Sequence, residues 1–370
     1  MIYKEASLPE YPCKRDMWDE LSSETRPIVV YGMGNGADKL IKRFEKYNVE
    51  ISDFFASDGF VRGHSFHGKR VKSFSEIKSE YSDFVVVLSF ASNREEVIAL
   101  FADIDSKFDL YIPDMPVAGE VYFDREFYNS NYNDIIKSYN ALADKNSRNA
   151  FANIINYKLT GKLKYLESAY STRDELYTFL NGDNFTVVID AGAYNGDTIK
   201  ESKKYFRNLK KVYAIEPDNK TFAKLQRYCQ AETDISIDAI NAAVFDVSGV
   251  SGFFGSGNRN SSISSTSSYE HKDMTVKTAK IDDLTSEQID YIKYDVEGAE
   301  TEALRGSHRT IMEFHPTLLV SAYHRSSDIF ALINYISELY DFYDIYLLRL
   351  RAVPAWELDI IAIPKKKCID

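Results

Sequence analysis

The stretch Val187-Val188-Ile189-Asp190-Ala191-Gly192-Ala193-Tyr194-Asn195-Gly196-Asp197-Thr198 decides the fold of the second half of this chain. An apolar run ends in Asp190, a turn with two glycines follows, and a helical pattern begins near Asp197 or Thr198. Glycine at 192 and 196 predicts a close approach of a ligand to the backbone. A carboxylate at 190 suits an ammonium group better than a pyrophosphate, and no lysine follows as in a P-loop.

A second strand ends in an acidic residue further along the chain. The run Tyr213-Ala214-Ile215-Glu216-Pro217-Asp218 places Glu216 where nucleotide-binding sheets hold a carboxylate for the ribose hydroxyls. Taken alone, Asp190 or Glu216 could each be an ordinary carboxylate at a strand end. At successive turns of one parallel sheet, they together describe a site for a nucleoside with a cationic appendage. S-adenosylmethionine is such a molecule.

Further motifs in the same half carry a family resemblance. They are Thr278-Ala279-Lys280-Ile281-Asp282-Asp283-Leu284, Ile289-Asp290-Tyr291-Ile292-Lys293-Tyr294-Asp295-Val296-Glu297-Gly298-Ala299-Glu300, Leu304-Arg305-Gly306, Val320-Ser321-Ala322-Tyr323-His324 and Tyr346-Leu347-Leu348-Arg349. This half resembles the FkbM family of class I, S-adenosylmethionine-dependent methyltransferases, over roughly residues 125 to 365. The resemblance implies methyl transfer to an oxygen, often on a sugar or a polyketide.

The resemblance also implies a set of cofactor-binding residues. It places Asp190, Gly192, Ala193, Tyr194, Asn195 and Gly196 beside the methionine part of the cofactor. Glu216 and Pro217 would contact the ribose, while Asn241 and Ala242 would lie near the adenine, with Asp246 as a further contact.

The candidate catalytic residues follow the fourth and fifth strands of this half. A general base helps to activate a hydroxyl, and an imidazole suits that role near neutral pH, so His324 is either the base, an acceptor-binding residue or a hydrogen-bonded structural residue. Asp295 and Glu297 could instead be the base or ligate a divalent cation, although these oxygens are too few to specify a metal. Lys293 shares a strand face with Asp295 and either acts directly or balances Asp295 or Glu297.

Strands and helices alternate along both halves of the chain, which predicts α/β architecture. In the second half the predicted strands are 186–190, 211–216, 235–244, 291–294 and 318–323, followed by a terminal hairpin of 344–351 and 358–364. We expect a class I methyltransferase fold, with a doubly wound, mixed, seven-stranded sheet whose last strand is antiparallel. The Ser- and Gly-rich segment 248–270 predicts a mobile hairpin loop that is either plain surface or covers the substrate.

The first third of the chain predicts a smaller Rossmann-like domain. Gly32-Met33-Gly34-Asn35-Gly36-Ala37 fits G-x-G-x-x-A directly after a strand, and Asp58 could be the ribose carboxylate of a second nucleotide site at Gly32, Gly34 and Gly36. The other interpretation is a retained fold that serves packing or dimer contact without a ligand. We expect an accessory domain at 1–125, a helical connector at 126–180 and the methyltransferase domain at 181–370.

Composition limits the classes of partner. The chain has 370 residues, 45 basic and 56 acidic, for a formal charge of -11. Nucleic acid and anionic membranes require a basic surface, so neither is an expected partner. The sequence shows no apolar stretch long enough for a membrane span, and its three scattered cysteines do not suggest a disulfide framework. We expect a cytoplasmic protein whose partner is a small-molecule or glycan acceptor, and a homo-oligomer is compatible with the sequence.

Three functions are compatible with these motifs. The leading hypothesis is an S-adenosylmethionine-dependent O-methyltransferase that acts on a hydroxyl of a sugar or glycoconjugate. The alternative is a catalytically silent protein that binds a nucleotide or nucleotide sugar at the amino-terminal glycine-rich turn. A nicotinamide-dependent oxidoreductase is the third, but the first domain has no recognisable Tyr-x-x-x-Lys motif after its strands.

Overall fold

A computed structural model describes residues 3–61, 63–254, 262–263 and 274–366. The helices of these residues are α1 (Met17–Ser22), α2 (Asn35–Tyr47), α3 (Phe74–Glu80), α4 (Glu95–Asp105), α5 (Arg125–Ser130), α6 (Tyr132–Ala141), α7 (Lys145–Thr160), α8 (Leu163–Glu167), α9 (Arg173–Leu180), α10 (Asp197–Tyr205), α11 (Asn219–Ala231), α12 (Ile281–Leu284), α13 (Glu300–Arg305), α14 (His308–Phe314) and α15 (Asp328–Leu339).

The strands alternate with these helices along most of the chain. They are β1 (Ile28–Tyr31), β2 (Asp53–Ala56), β3 (Ser65–Phe66), β4 (Lys69–Arg70), β5 (Lys72–Ser73), β6 (Val85–Leu88), β7 (Asp109–Tyr111), β8 (Val187–Ala191), β9 (Lys211–Ile215), β10 (Ser236–Ile240), β11 (Ala243–Val244), β12 (Gly249–Phe254), β13 (Ser262–Ile263), β14 (Met274–Ala279), β15 (Tyr291–Tyr294), β16 (Thr317–Ser321), β17 (Tyr343–Arg349) and β18 (Leu358–Pro364).

The first sheet is parallel and has the order β5-β2-β1-β6-β7. All four residues of β1 and of β6 are buried, which is typical of a parallel sheet covered on both faces. Strand β2 begins only at Asp53, because the backbone N–H of Val49 still bonds to the carbonyl of Phe44 at the end of α2. The Rossmann-like architecture of this part agrees with the sequence pattern.

The second sheet, in the described part of the chain, has seven strands in the order β10-β9-β8-β15-β16-β18-β17. Strands β8, β9, β10, β15 and β16 run parallel, and β18 is antiparallel to both of its neighbours. This mixed sheet confirms the predicted class I methyltransferase fold. Because β18 runs in the opposite direction, its first residues reach the edge at which the parallel strands end.

One predicted strand is wrong in extent. The segment 235–244 breaks into β10 and β11, which belong to different sheets. The break has a local cause, because the side chain of Asn241 turns to donate hydrogen bonds to the carbonyls of Glu216 and Pro217, at 3.0 and 3.3 Å. The turn places Ala242 next to the end of β9.

The segment predicted as a mobile loop is partly a strand. Residues 249–254 form β12, which pairs antiparallel with β14 in a sheet of order β11-β14-β12-β13. Backbone hydrogen bonds therefore supply the order that the Ser- and Gly-rich side chains could not predict. Residues 255–261 and 264–273 lie outside the described residues.

Helices α5 to α9 connect the two large sheets along the chain. Helix α7 lies against β17, and α6 lies against α15. Buried side chains of both sheets and of α7, among them Val29, Phe151 and Ile292, belong to one continuous apolar core. Ser92, after β6, also forms an antiparallel bridge with Val353 in the turn before β18. The boundaries at 125 and 180 stay a prediction.

Within the described ranges, every helix is too short or too polar to cross a lipid bilayer.

Candidate active site

A cavity of about 600 Å³ opens at the edge where the parallel strands of the seven-stranded sheet end. Its β8–β9 side is lined by Gly192, Tyr194, Glu216, Pro217, Asp218, Ala242, Ala243 and Val244. Its β16–β18 side is lined by Tyr323, Trp356, Glu357 and Asp359, and further lining residues are Arg173 and Tyr177 from α9 and Asn93 and Val117 from the amino-terminal part. Lys293, Asp295 and Glu297 lie between these sides, because β15 separates β8 from β16 in the sheet.

Glu216 is fixed at the end of β9 by the backbone around it. Its Oε2 accepts a hydrogen bond from the N–H of Tyr194 at 3.0 Å, and its Oε1 accepts one from the N–H of Asp218 at 2.8 Å. Burial raises the pKa of this carboxyl to about 7, although the two backbone bonds lower it. The side chain thus joins the turns that follow β8 and β9 and presents a buried carboxylate to the cavity.

Lys293 lies between two carboxylates. Its Nζ is 3.3 Å from Oδ2 of Asp295 and 3.6 Å from Oδ1 of Asp190. This geometry follows from the sheet, since Lys293 and Asp295 share a face of β15 and Lys293 is in register with Asp190 of β8. Burial raises the pKa of Asp295, but Lys293 and His324 outweigh it and hold that pKa below its usual value.

Asp190 is buried directly beneath this cation. Neither of its carboxylate oxygens accepts a hydrogen bond from the described residues. Burial raises its pKa to about 6, against the opposing effect of Lys293. Buried carboxylate oxygens are rarely left without partners, so Asp190 has capacity for a further donor such as an ammonium group.

His324 is fully buried behind the cavity wall. Its Nδ1 lies 2.9 Å from Oε1 of Glu300, and its Nε2 lies 3.4 Å from Oδ1 of Asp295 and 3.6 Å from Oε2 of Glu297. Burial lowers the pKa of the imidazole, but Glu300, Asp295 and Glu297 together raise it to about 10. A charged imidazolium at neutral pH favours the structural role of His324 over the role of a base.

The turn after β15 is held by Glu300. Its Oε1 accepts hydrogen bonds from the N–H groups of Val296 and Gly298, at 3.1 and 3.3 Å. Between them, Glu297 has a φ of +55°, a left-handed conformation that is unusual for a residue other than glycine. The turn directs Glu297 to the cavity, where burial raises the pKa of its carboxyl to about 8.

One group of described side chains has the spacing of metal ligands. Glu300, His324 and Asp328 are all buried, and each offers a ligand atom within 4.8 Å of the others. The 2.9 Å contact between His324 and Glu300 and the hydrogen bond from the N–H of Arg325 to Asp328, at 2.7 Å, already account for this packing. Asp295 and Glu297, the predicted metal candidates, are not in this group.

Comparison with known proteins agrees with this fold. Residues 190–349 match the model of the methyltransferase FkbM domain. Residues 190–349 are therefore a methyltransferase FkbM domain. The structure of methyltransferase FkbM from Methylobacillus flagellatus KT is similar over 91% of this chain and 90% of that one, with a TM-score of 0.65 and 20% identity. The shared fold therefore includes most of the part that precedes the FkbM domain.

Two further solved structures cover about half of the chain. An rRNA methylase from Streptococcus thermophilus is 14% identical over 52% of this chain and 95% of that one, with a TM-score of 0.34. A Streptococcus mutans protein in complex with SAH is 14% identical over 52% and 98%, with a TM-score of 0.35. No curated protein matches the chain.

The FkbM domain brings about half of the predicted residues to the cavity. Those that line it are Gly192, Tyr194, Glu216, Pro217, Ala242, Lys293, Asp295 and Glu297. The other predicted residues, Asp190, Ala193, Asn195, Gly196, Asn241, Asp246 and His324, are not among its lining residues. Several of these support the wall, since Asn195 accepts the N–H of Asp197 at 3.2 Å and Asn241 holds the turn after Glu216.

The glycines that follow β8 also make room for the protein's own chain. A Cβ at Gly192 would lie 1.9 Å from the carbonyl oxygen of Asp295, and one at Gly196 would lie 2.4 Å from the ring of Tyr228. Both residues have a φ of +88°. These glycines make room for the protein's own chain, and Gly192 thereby brings the turn after β8 against the end of β15.

The structure also identifies cavity residues that the motifs missed. Trp356, Glu357 and Asp359 line the β16–β18 side, although they lie outside every motif that suggested a methyltransferase. Arg173 and Tyr177 line the cavity from α9, where both contact Glu201 of α10. The sequence does mark Asp359, because it is a single carboxylate in the apolar run Leu358-Asp359-Ile360-Ile361. A strand that is buried on both faces rarely contains a charged residue without a function.

Two of the three amino-terminal glycines pack closely against neighbouring residues, and the third has open space around it. A Cβ at Gly32 would lie 2.6 Å from the ring of Phe90, and one at Gly36 would lie 2.0 Å from the carbonyl oxygen of Ser89. Gly34 has a φ of +105° with open space around it. Asp58 accepts a hydrogen bond from the hydroxyl of Ser75 at 2.7 Å. Packing explains two of the three glycines, and a second nucleotide site stays a prediction.

Proposed function

We propose that this protein is an S-adenosylmethionine-dependent O-methyltransferase that acts on a hydroxyl of a sugar or glycoconjugate. The observation that carries the proposal is the row of Glu216, Gly192 and Asp295 at the ends of three adjacent strands, all facing one cavity. Open α/β sheets bind their ligands at this edge. The match of residues 190–349 to the FkbM methyltransferase domain supports the same reaction class.

The β8–β9 side fits the chemistry of this cofactor. Glu216 offers a carboxylate for the ribose hydroxyls, and Ala242 to Val244 offer a small apolar surface for the adenine. Asp190, whose oxygens accept no hydrogen bond from the described residues, adds a carboxylate behind Lys293 that suits the ammonium of the methionine part. When bound, S-adenosylmethionine supplies a methyl group on a positively charged sulfur, and Asp295, whose pKa is held below its usual value, is the ionised carboxylate in that region of the cavity.

The β16–β18 side fits a hydroxylated acceptor. Trp356 and Tyr323 offer aromatic surface, while Glu357 and Asp359 offer carboxylate oxygens that accept hydrogen bonds from hydroxyl groups. The chain's main contribution to rate would be to hold the acceptor oxygen close to the methyl carbon and in line with the sulfur.

Thermal unfolding with different ligands tests the proposed function. We expect S-adenosylhomocysteine at 100 times its Kd to stabilise the protein by about 2.7 kcal/mol, because binding to the folded state adds RT ln(1 + [L]/Kd). NAD and nucleotide sugars are the comparison ligands. A shift with NAD alone would support the oxidoreductase, and a shift with nucleotide sugars alone would support the silent binding protein.

A further inference from the structure

We infer that Asp359 is the general base that removes the proton from the acceptor hydroxyl. This inference rests on the proposed function, and it assigns a catalytic role to a residue outside the family motifs. Its basis is the position of Asp359 in the cavity, the lack of a partner for one of its oxygens and the charges that surround it.

Asp359 lies on the side of the cavity where the acceptor must bind. Strand β18 is antiparallel to β16, and Asp359 is in register with Ser321 at the end of that strand. The sheet order places β16 and β18 beyond β15, on the side opposite to β8 and β9. If the cofactor fills the β8–β9 side, with its methyl group toward Asp295, an acceptor approaches from the side that Asp359 lines.

The Asp359 carboxylate has unused acceptor capacity. Its Oδ1 accepts one long hydrogen bond, from the hydroxyl of Ser321 at 3.4 Å. No hydrogen bond from the described residues reaches Oδ2, and no described lysine, arginine or histidine forms an ion pair with this carboxylate. Asp359 is nevertheless only 6% exposed. A buried carboxylate that lines a cavity in this way is suited to accept a proton from a ligand.

The surroundings of Asp359 bring the pKa of its carboxyl close to neutral pH. Burial raises its pKa to about 7, and the carboxylates of Glu357 and Asp295 add to the increase. Lys293 from β15 and Arg173 from α9 oppose it. A base with this pKa is largely ionised at slightly alkaline pH and still binds a proton well, which is the compromise that general base catalysis needs.

The other acidic groups of the cavity are less suited to this role. Asp295 is held by Lys293 and accepts a hydrogen bond from the hydroxyl of Tyr323 at 3.3 Å, so its proton affinity is low. Glu297 faces the imidazole of His324, with Oε2 and Nε2 3.6 Å apart. His324 itself is shielded by these two carboxylates. Asp359 lines the acceptor side of the cavity and also has a raised pKa.

The proposed step balances in atoms and charge. A bond forms between the acceptor oxygen and the methyl carbon while the bond between that carbon and sulfur breaks. The hydroxyl proton moves to Oδ2 of Asp359. The products are a methyl ether, S-adenosylhomocysteine and a protonated Asp359, which then releases its proton to solvent.

The variant Asp359→Asn tests this assignment, because it keeps the shape of the side chain and removes its basicity. We expect calorimetric binding of S-adenosylhomocysteine to stay within about threefold of wild type, and kcat with a sugar or nucleotide-sugar acceptor to fall by about 100-fold or more. Asp344→Asn, on the neighbouring strand β17 and outside the cavity lining, is the matched control. A kcat within threefold of wild type for Asp359→Asn would overturn the assignment.

A second measurement needs no acceptor. In folded wild-type protein, Asp359 loses its proton between pH 5.5 and 8.5, whereas in the unfolded chain it is already ionised at pH 5.5. Wild type therefore loses stability over this range, and Asp359→Asn does not lose this contribution. The Tm of Asp359→Asn minus that of wild type should therefore increase from pH 5.5 to 8.5. The same difference for Asp344→Asn should increase less. If the Tm difference between Asp359→Asn and wild type is the same at pH 5.5 and 8.5, Asp359 has an ordinary pKa, and its role as the general base is rejected. Absence of S-adenosylhomocysteine binding to wild type would instead reject the proposed function.

Discussion

Lys293 shows how single residues organise the site. One buried ammonium lies within 3.6 Å of two carboxylates that come from adjacent strands. The alternation of side chains along a strand predicted that Lys293 and Asp295 share a face. The contact with Asp190 could not be predicted, because the sequence does not specify the register between β8 and β15, whose residues are a hundred positions apart.

Replacing Lys293 tests how much this buried cation contributes to the free energy of unfolding. We expect Lys293→Met to lower the free energy of unfolding at pH 8 by about 3–5 kcal/mol, since it leaves the buried carboxylate of Asp190 without its cation. Lys211→Met is the control, because that lysine makes its ion pairs at the surface. Urea unfolding at pH 8 measures both variants, and equal losses would contradict the buried-charge account.

At the scale of elements, the end of β17 is fastened to the preceding helices by Arg349. This fully buried guanidinium donates hydrogen bonds to the carbonyls of Leu166, Ala169 and Ala352, at 2.6, 2.9 and 2.5 Å. Leu166 and Ala169 lie in and just after α8. The contacts fix the turn that carries Trp356 and leads into Asp359, so they support the β16–β18 side of the cavity.

A lysine cannot replace this arginine. We expect Arg349→Lys to reduce the free energy of unfolding by about 2–4 kcal/mol, because one ammonium cannot reach three carbonyls in different directions and leaves buried acceptors unpaired. Arg351→Lys, which affects a partly exposed ion pair with Glu167, should cost less than about 1 kcal/mol. Chemical denaturation of both variants makes the comparison, and similar losses would contradict the role given to Arg349.

The apolar strands were easier to predict from the sequence than the other elements. Runs such as Tyr291 to Tyr294 and Leu358 to Pro364 have the bounds that their composition indicates. The β12–β14 pairing could not be predicted, because Ser and Gly give no alternating pattern from which a strand could be recognised. The same limit applies to Asp359 and Trp356, whose place in the cavity depends on the reversed direction of β18.

At the scale of the whole molecule, the acids of the cavity make stability depend on pH. The pKa values of Asp190, Glu216, Glu297 and Asp359 are raised to between about 6 and about 8. The folded state therefore binds more protons than the unfolded state between about pH 4 and pH 8, so stability falls as pH rises. His324, with a pKa raised to about 10, acts in the same direction from its unfolded value near 6.5 upward.

This linkage predicts a Tm that decreases between pH 5.5 and 8.5 in the absence of ligand. Differential scanning calorimetry at three pH values and constant ionic strength measures it. Carboxylates with lowered pKa values, such as Glu24 and Asp295, change stability only at more acidic pH and do not offset the trend. A Tm that increases toward pH 8.5 would contradict the charge distribution described for the cavity.

Isothermal titration calorimetry with S-adenosylhomocysteine is the most direct test of the central claim, that the β8–β9 side of the cavity binds this cofactor. Wild-type protein should bind one molecule per chain, and Glu216→Ala should bind at least tenfold more weakly, because it loses the carboxylate that faces the ribose. Asp344→Asn, on β17 and outside the cavity lining, should bind like wild type. Folded wild-type protein that shows no binding, or equal binding by wild type and Glu216→Ala, would contradict the account.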